Sequence, residues 1–355
     1  MKNKKMLIFI PIILVVILII SFIGILLYQL SPVDSNNEDI IEFTVESGWG
    51  KSTVVHELNK QGLIRSEFFG KVLVKLTNKE LYAGTYKLSK DLSVSEILEK
   101  ISNQENIENE SITITFVEGK RLEYFVKLIS DNFEYTESVI NEKLNDREYL
   151  ESLIDKYWFI TTDIFNENIY YPLEGYFYPD TYEFKVNSTL DEIIEKLLNN
   201  MDEKLKGYKE EIETGKYKIH EYLTLASIVE LEGINSLDRA GVAGVFYNRL
   251  DSGMTLGSDV TTYYAVKKDF SSDLTISELN SCNGYNTRGT CVSGLPVGPI
   301  CSASLSSISA VIEPESHDYY YFVADKNRKT YFSKDGVEHN KTVADLKSQD
   351  LWFTY

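Results

Sequence analysis

The chain has 355 residues, with 54 acidic against 36 basic side chains and a formal net charge of −18 at pH 7. This strongly acidic composition argues against a nucleic-acid-binding protein, because proteins that bind phosphates present Lys and Arg in patches. No basic patch interleaved with aromatic residues is visible in the sequence. The length allows a sizeable core and favours more than one domain.

The first predicted element is an apolar run from Met6 to Leu30 that carries no charge and is long enough to cross a bilayer. Three lysines precede it and acidic residues follow, so the positive-inside rule places residues 1–5 in the cytoplasm and the body outside. A cleaved signal peptide would have a shorter apolar region and small residues before a cut site. We expect a cytoplasmic tail at 1–5, a transmembrane helix at 6–30 and a linker at 31–39.

The sequence pattern of residues 40–102 predicts a small module of strands and helices. An alternating run that ends at Gly48 and a second one around residues 81–90 indicate strands, and two helical patterns lie between them. A further helix follows, in which Ser93 and Glu96 have the spacing of a capping box. The order is strand, helix, helix, strand, followed by a polar linker at 103–111.

Residues 112–355 predict a larger mixed domain. A strand, a turn at Gly119 and a helix open it, and a helix-rich stretch continues to about Tyr157. An aromatic segment, YYPLEGYFYPDTYEF, spans 170–184 and precedes an amphipathic helix. Two strands joined by a turn at 326–328 lie near the end. The fold class is therefore predicted to be α+β.

One helix ends in two acidic residues that are candidates for catalysis. In HEYLTLASIVELEG, Glu230 shares a helical face with the small residues Ala226 and Ser227, whereas Glu232 shares another face with bulky side chains. The small face is expected to leave room for a ligand beside Glu230. A carboxyl group at the edge of an apolar surface and near a helix C-terminus is a candidate general acid. Glutamates that are simply solvated residues at a helix end are about as common.

The cysteines lie close together in the sequence. In an extracytoplasmic location Cys282 and Cys291 could close a small disulfide loop and leave Cys301 free, although three buried thiols are an equal alternative. The four histidines show no ligand spacing with the cysteines or with each other, so we expect no metal site and no cofactor.

Several motifs in order resemble the endolytic murein transglycosylases of the MltG (YceG-like) family. The motifs are LEGYFYPDTYEF at 173–184, LASIVELEG at 225–233, VAGVFYNRLDSGMTLGSD at 242–259, YNTRGTCVSGLPVGPI at 285–300 and YFVADKNRKTYFSKDGVEHN at 321–340. The resemblance covers the chain from the membrane helix onward and implies a LysM-like βααβ module at 40–102 and a YceG-like catalytic domain at 112–355. Val260 and Val297 depart from the prolines usual in the family.

The resemblance implies a lyase that cuts nascent peptidoglycan after N-acetylmuramic acid and leaves 1,6-anhydromuramic ends. It places the essential acid at Glu230, with Glu232 supporting. Glycan strands and the membrane are the expected partners, with cell-wall synthases of the elongation machinery as further candidates. Sugar stacking is expected from Tyr176, Tyr178 and Tyr182, with Phe177 pointing the opposite way into the core. The expected polar and cleft-lining contacts come from Glu174, Asp180, Ser258, Asp259, Tyr285, Asn286, Thr287, Pro299, His339 and Asn340.

Two alternatives remain open from the sequence. A peptidoglycan-binding scaffold without catalysis would use the same module and anchor, but it would leave the acid and the aromatic segment unexplained. A muramidase that uses water would begin with the same protonation, so only the product ends separate it from a transglycosylase.

Overall fold

The structure, a computed structural model, describes residues 2–107, 111–233 and 236–352, with side chains from residue 13 onward. Residues 108–110 of the predicted linker lie outside the described residues. The chain divides into two compact units, Met1–Glu110 and Ser111–Tyr355. Helices and small antiparallel sheets make up both, which confirms the α+β class.

The first unit contains a long apolar helix and a small α/β module. Its elements are α1 (Lys2–Leu30), β1 (Ile41–Val45), α2 (Lys51–Lys60), α3 (Glu67–Thr77), β2 (Gly84–Leu88) and α4 (Val94–Ile101). Strands β1 and β2 pair antiparallel, with Phe43 opposite Tyr86, and both rings are fully buried. The capping box predicted at Ser93 and Glu96 is confirmed. The apolar stretch Ile13–Leu30 of α1 has a mean hydropathy of 2.8, enough for a membrane span.

The second unit combines two short antiparallel strand pairs with helices, the last of which follows both pairs. Its elements are β3 (Ser111–Thr115), α5 (Leu122–Asn132), α6 (Glu137–Asn145), α7 (Arg147–Lys156), β4 (Thr181–Lys185), α8 (Leu190–Leu205), α9 (Lys209–Thr214), α10 (Ile219–Glu232), α11 (Arg239–Asp251), α12 (Asp259–Ala265), α13 (Ile276–Leu279), α14 (Leu305–Ile312), β5 (Tyr321–Ala324), β6 (Thr330–Ser333) and α15 (Gly336–Ser348). Strand β3 pairs with β4, and β5 pairs with β6.

Helix α10 lies in the core of the second unit, where it packs against α11 and α14. All its residues from Leu223 to Val229 are buried, so every side of the helix is covered until its last turn. Glu230 and Glu232 are therefore held at the end of a rigid, fully packed helix. This is the arrangement that positions a functional side chain accurately.

The predicted alternation of side chains from Gly175 to Tyr178 is wrong. Those residues form consecutive turns rather than a strand, and Gly175 has a positive φ of 78°. Tyr176 and Phe177 are fully buried and Tyr178 is 6% exposed, so all three rings enter the core. Because turns do not impose a two-residue period, neighbouring rings can point inward together.

Candidate active site

A segment without helix or strand, residues 297–304, runs alongside α10 towards Glu230. Near the start of the helix, the Nε2 atom of His220 lies 2.9 Å from the carbonyl oxygen of Val297. Further along, the N–H of Ile300 donates to the hydroxyl of Ser227 over 3.0 Å. Ala226 and Ser227, the small residues expected to leave room for a ligand beside Glu230, are fully buried, and Ile300 of this segment contacts Ser227; room for a ligand beside Glu230 itself stays a prediction.

Four donor groups converge on the carboxylate of Glu230. Its Oε2 atom accepts from the backbone N–H of Ser304 at 2.9 Å, the Ser304 hydroxyl at 2.5 Å and the Ser307 hydroxyl at 2.7 Å. Its Oε1 atom accepts from Nη2 of Arg239 at 2.8 Å. The Glu230 side chain is 6% exposed and that of Arg239 is 12% exposed, so the ion pair is well shielded from solvent.

Arg239 connects the acid to the start of α14. Its Nη1 group donates to the hydroxyls of Ser304 and Ser306, while Nη2 holds Glu230. A guanidinium can make these contacts together because its donors form a planar fork. The sequence analysis did not identify Arg239, or the serines Ser304 and Ser306 that it contacts. Arg239 follows Glu230 by only nine residues, but Ser304 lies 74 residues away and no local pattern signals it.

The turn between β3 and α5 covers Glu230 from another side. Gly119 has a φ of 71°, as expected for a turn glycine, and its N–H donates to the carbonyl of Ser302 over 2.8 Å. A Cβ atom added there would lie 3.8 Å from Cγ of Glu230 and 3.4 Å from Leu231. A cavity of about 370 Å³ opens beside this turn, and Leu231, the residue after Glu230, is among the residues that line it.

Glu118 is a second carboxylate near Glu230 that sequence reasoning also missed. It is exposed and precedes the glycine that lies over Glu230. Although the residue as a whole is exposed, partial desolvation of its carboxyl group and the nearby negative charge of Glu230 raise the pKa of Glu118, while Arg239 acts in the opposite direction. The sequence signal that could have identified Glu118 is its position, next to a turn glycine and directly after a predicted strand.

Glu232 points to a different set of partners. Its Oε1 atom accepts from the hydroxyl of Ser258 at 2.6 Å, and the Ser258 N–H donates to the Thr287 hydroxyl at 3.1 Å. Burial raises the pKa of Glu232, and the Ser258 hydrogen bond opposes that rise. The two glutamates thus diverge, as the helical period requires, and contact separate polar networks.

The loop that carries Asn286 is cross-linked in the structure. Cys282 and Cys291 form a disulfide with Cα atoms 5.4 Å apart, and Cys301 is a buried free thiol. Asn286 is fully buried inside the loop. Its side chain donates to the carbonyl of Ser281 and accepts from the hydroxyl of Thr262, so it fixes the shape of the loop.

Tyr178 of the aromatic segment lies within electrostatic reach of the acid. Burial raises the pKa of Tyr178, and the charges of Glu118 and Glu230 contribute in the same direction. Tyr182 is 5% exposed, and its hydroxyl donates to the carbonyl of Tyr178 over 2.7 Å. Tyr176 is fully buried with its hydroxyl 2.7 Å from Nδ1 of His220, so it offers no ring face to a sugar.

Several other expected contact residues lie in the core. Glu174 is 1% exposed and accepts hydrogen bonds from the N–H of Leu122 at 2.8 Å and the hydroxyl of Tyr264 at 3.0 Å. Burial raises the pKa of Glu174 to about 8. Tyr285 is fully buried, and Pro299 is buried against Gly175.

The remaining expected residues lie nearer the surface. Asp180 accepts from Asn200 and Asp259 pairs with Arg288 at 2.9 Å, and both acids are exposed. His339 stacks on Tyr321 with its buried Nδ1 atom lacking a hydrogen-bond partner among the described residues, and Asn340 is exposed. Within the three described ranges, no three His, Cys, Asp or Glu side chains group as a metal site would require.

Comparison with known proteins identifies relatives over most of the chain. The model of the YceG-like family matches residues 43–345. An endolytic murein transglycosylase of Bacillus subtilis (strain 168) is 33% identical over 315 residues, covering 88% of this chain and 86% of the relative. One of Streptococcus pneumoniae serotype 2 (strain D39) is 30% identical over 91% of this chain, which spans only 61% of that relative. The crystal structure of a YceG-like protein from Listeria monocytogenes is 32% identical, with a TM-score of 0.61 over 86% of this chain and 99% of that one.

Proposed function

This chain belongs to the YceG-like family, and we propose that it is a membrane-anchored endolytic murein transglycosylase that cleaves glycan strands of nascent peptidoglycan. The observation that carries the proposal is the carboxyl group of Glu230, which lies at the end of the buried helix α10. Donors from α11, from α14 and from the residue before α14 orient this group, and the Gly119 turn lies over it. Such an arrangement suits a single positioned general acid.

In the proposed reaction, Glu230 starts in its protonated form and gives this proton to the glycosidic oxygen as the bond from that oxygen to the anomeric carbon of N-acetylmuramic acid breaks. The 6-hydroxyl oxygen of the same sugar then bonds to the anomeric carbon, and its proton passes to Glu230. The acid ends in its starting state and no water is consumed, so the product has a 1,6-anhydro end. One carboxyl group therefore suffices, whereas an ordinary glycosidase needs two.

The hydrogen bonds around Glu230 distinguish its two oxygens. Oε2 is held by three donors from Ser304 and Ser307, whereas Oε1 accepts from one donor among the described residues, Nη2 of Arg239. We therefore place the proton transfer at Oε1, where a glycosidic oxygen has to replace a single contact. The guanidinium of Arg239 stabilises the carboxylate that remains after the proton has left.

The proposed location is the outer face of the cell membrane. The apolar part of α1 supports an anchor, and the lysines before it support a cytoplasmic N-terminus. A reporter that is active only outside the membrane should work when fused after Tyr355. Activity of a cytoplasm-only reporter at that junction would reverse the topology and contradict a cell-wall function.

Product analysis tests the chemistry directly. Purified full-length protein is incubated with uncross-linked glycan strands, and the fragments are examined by mass spectrometry. The expected fragments carry 1,6-anhydromuramic ends and come from cleavage inside strands. Reducing muramic ends alone would identify a muramidase that uses water, and the absence of fragments would favour the scaffold alternative.

A further inference from the structure

An apolar stripe on α3 faces outward from the first unit. Phe68 is 68% exposed, Val72 is 36% exposed and Leu76 is 77% exposed. Spaced four residues apart, these side chains lie on one face of the helix and extend about 12 Å along it. The opposite face carries the buried residues Gly70 and Val74. The stripe therefore takes no part in the core of the module.

This stripe is unusual within its unit. Between residues 31 and 107, the large hydrophobic residues that are exposed are Ile40 and the three members of the stripe. Isolated exposed apolar residues need no explanation, whereas a contiguous exposed face marks a contact surface. Gly70 shows how firmly the opposite face is seated, because a Cβ atom there would approach Val55 to 2.8 Å and Ile64 to 3.0 Å. Rotation of α3 to bury the stripe would lose that packing.

The position of α3 identifies what covers the stripe. Helix α3 contacts α1, and Leu26, Gln29 and Leu30 of α1 are partly covered although the rest of its apolar stretch is exposed. Leu26 and Leu30 belong to the stretch Ile13–Leu30, which is suited to cross the membrane. A helix packed against the end of a membrane span lies at the level where the bilayer ends.

Arg65 fixes this arrangement. Its guanidinium donates to the carbonyls of Pro32 and Val33 at 2.7 and 2.8 Å, and it lies over the ring of Tyr28 at 4.8 Å. Arg65 stands directly before the N-cap of α3, so the helix start is tied to the end of α1. Tyrosine and arginine at this level are typical of the membrane interface.

We infer that the Phe68–Val72–Leu76 face of α3 inserts into the outer interface of the membrane that α1 crosses, so that the module rests on lipid. Lys75 lies on the same helix beside the stripe, where a long basic side chain can reach lipid phosphates while its stem remains in apolar surroundings, whereas Lys71 pairs with Glu67. The inference rests on the membrane anchor of the proposed function. The inference adds a direct contact between the module and lipid to the anchor formed by α1. An anchor with a flexible tether alone would leave the module free in solution.

Depth-dependent quenching tests the inference on the full-length protein in vesicles of phosphatidylcholine and phosphatidylglycerol. A fluorophore is attached to Leu76→Cys, to Thr44→Cys on the exposed face of β1, or to Ile17→Cys within α1. The native Cys301 is buried and does not compete for label in the folded protein. Lipids with a nitroxide near the headgroup should quench the label at position 76 and spare the one at 44, and aqueous iodide should show the opposite order.

The label in α1 separates the two possible failures. Lipid quenching at position 17 without quenching at 76 would overturn the lipid contact and keep the anchor. The absence of quenching at both would overturn the anchor itself. As a second variant, Leu76→Asp should reduce lipid quenching of a label at Phe68→Cys, because a charge in the stripe opposes insertion; unchanged quenching there would also contradict the inference.

Discussion

Ser304 donates to Glu230 twice, from its backbone N–H and from its hydroxyl, and both hydrogen bonds end on the same oxygen, Oε2. A side chain held in this way by a residue 74 positions away has little freedom to turn. The contact explains why the 297–304 segment must run along α10 before α14 begins. It also leaves Oε1 as the oxygen available for exchange with a substrate.

Glu230→Gln should lower glycan cleavage by roughly 10²–10⁴-fold, the usual contribution of a general acid. The amide keeps the size of the side chain and can still accept from Ser304, but it cannot give up a proton. Release of soluble fragments measures the rate, and thermal melting reports the fold. Wild-type activity in this variant would remove Glu230 from the mechanism.

Glu232→Gln is the matched control on the same helix turn. Glu232 is bonded to Ser258 rather than to the donors around Glu230, so we expect a smaller loss of activity. Its raised pKa makes it the natural competitor for the acid role. A larger loss at position 232 than at 230, with both proteins folded, would exchange the two roles.

Arg239→Lys should reduce kcat by roughly tenfold with little change in KM. Lysine keeps the charge beside Oε1 but cannot hold Glu230 and the serines of α14 together, as the guanidinium fork does. Arg239→Ala should lose more, and partial recovery by lysine distinguishes a role in positioning and charge from simple packing. Equal losses in the two variants would contradict that role.

Glu118→Gln should alter the pH profile of cleavage while leaving the fold intact, because residue 118 is exposed. The charged groups near Glu118 are Glu230, Arg239 and Asp180. Because the pKa of Glu118 is raised by partial desolvation and by the charge of Glu230, the wild-type profile should contain a contribution from Glu118 ionisation that the variant lacks. The exposed Glu134→Gln serves as a control, and coincident profiles for the two variants would show that Glu118 does not act on the site.

Local patterns predicted the parts of the molecule that local physics determines. The capping box at Ser93, the turn at Gly119 and the divergence of Glu230 from Glu232 all depend on residues within a few positions of one another. The two terminal strands and the amphipathic helix α8 have equally local signals.

Long-range packing decided what the sequence could not predict. Whether a small face on α10 receives a ligand or another part of the chain depends on the 297–304 segment, which no nearby residue signals. Aromatic density likewise does not separate a sugar platform from a core, and Tyr176 is in the core, bonded to His220. The stacking role of the other tyrosines stays a prediction.

Glu174→Gln should flatten the pH dependence of stability. Burial raises the pKa of Glu174 to about 8, so the folded protein holds a proton that the unfolded chain releases above its ordinary pKa of 4.5. The contribution of Glu174 to the free energy of unfolding is complete below about pH 4.5 and is lost as the pH rises through about 8. The melting temperature of the wild type should therefore fall relative to that of the variant between pH 5 and 8. A constant difference across this range would show that Glu174 stays ionised.

Reduction of the Cys282–Cys291 disulfide should loosen the loop that holds Asn286 and Thr287. In the chain-entropy model, closing a loop of this length stabilises the fold by roughly 2–3 kcal/mol. Thiol counting in denaturant without reductant should find one thiol, Cys301, and peptide mapping should link the other two. The double variant Cys282→Ser/Cys291→Ser should melt earlier and lose activity, because Thr287 bonds Ser258, which in turn holds Glu232. Three titratable thiols in protein isolated from the outer face of the membrane would exclude the bridge there.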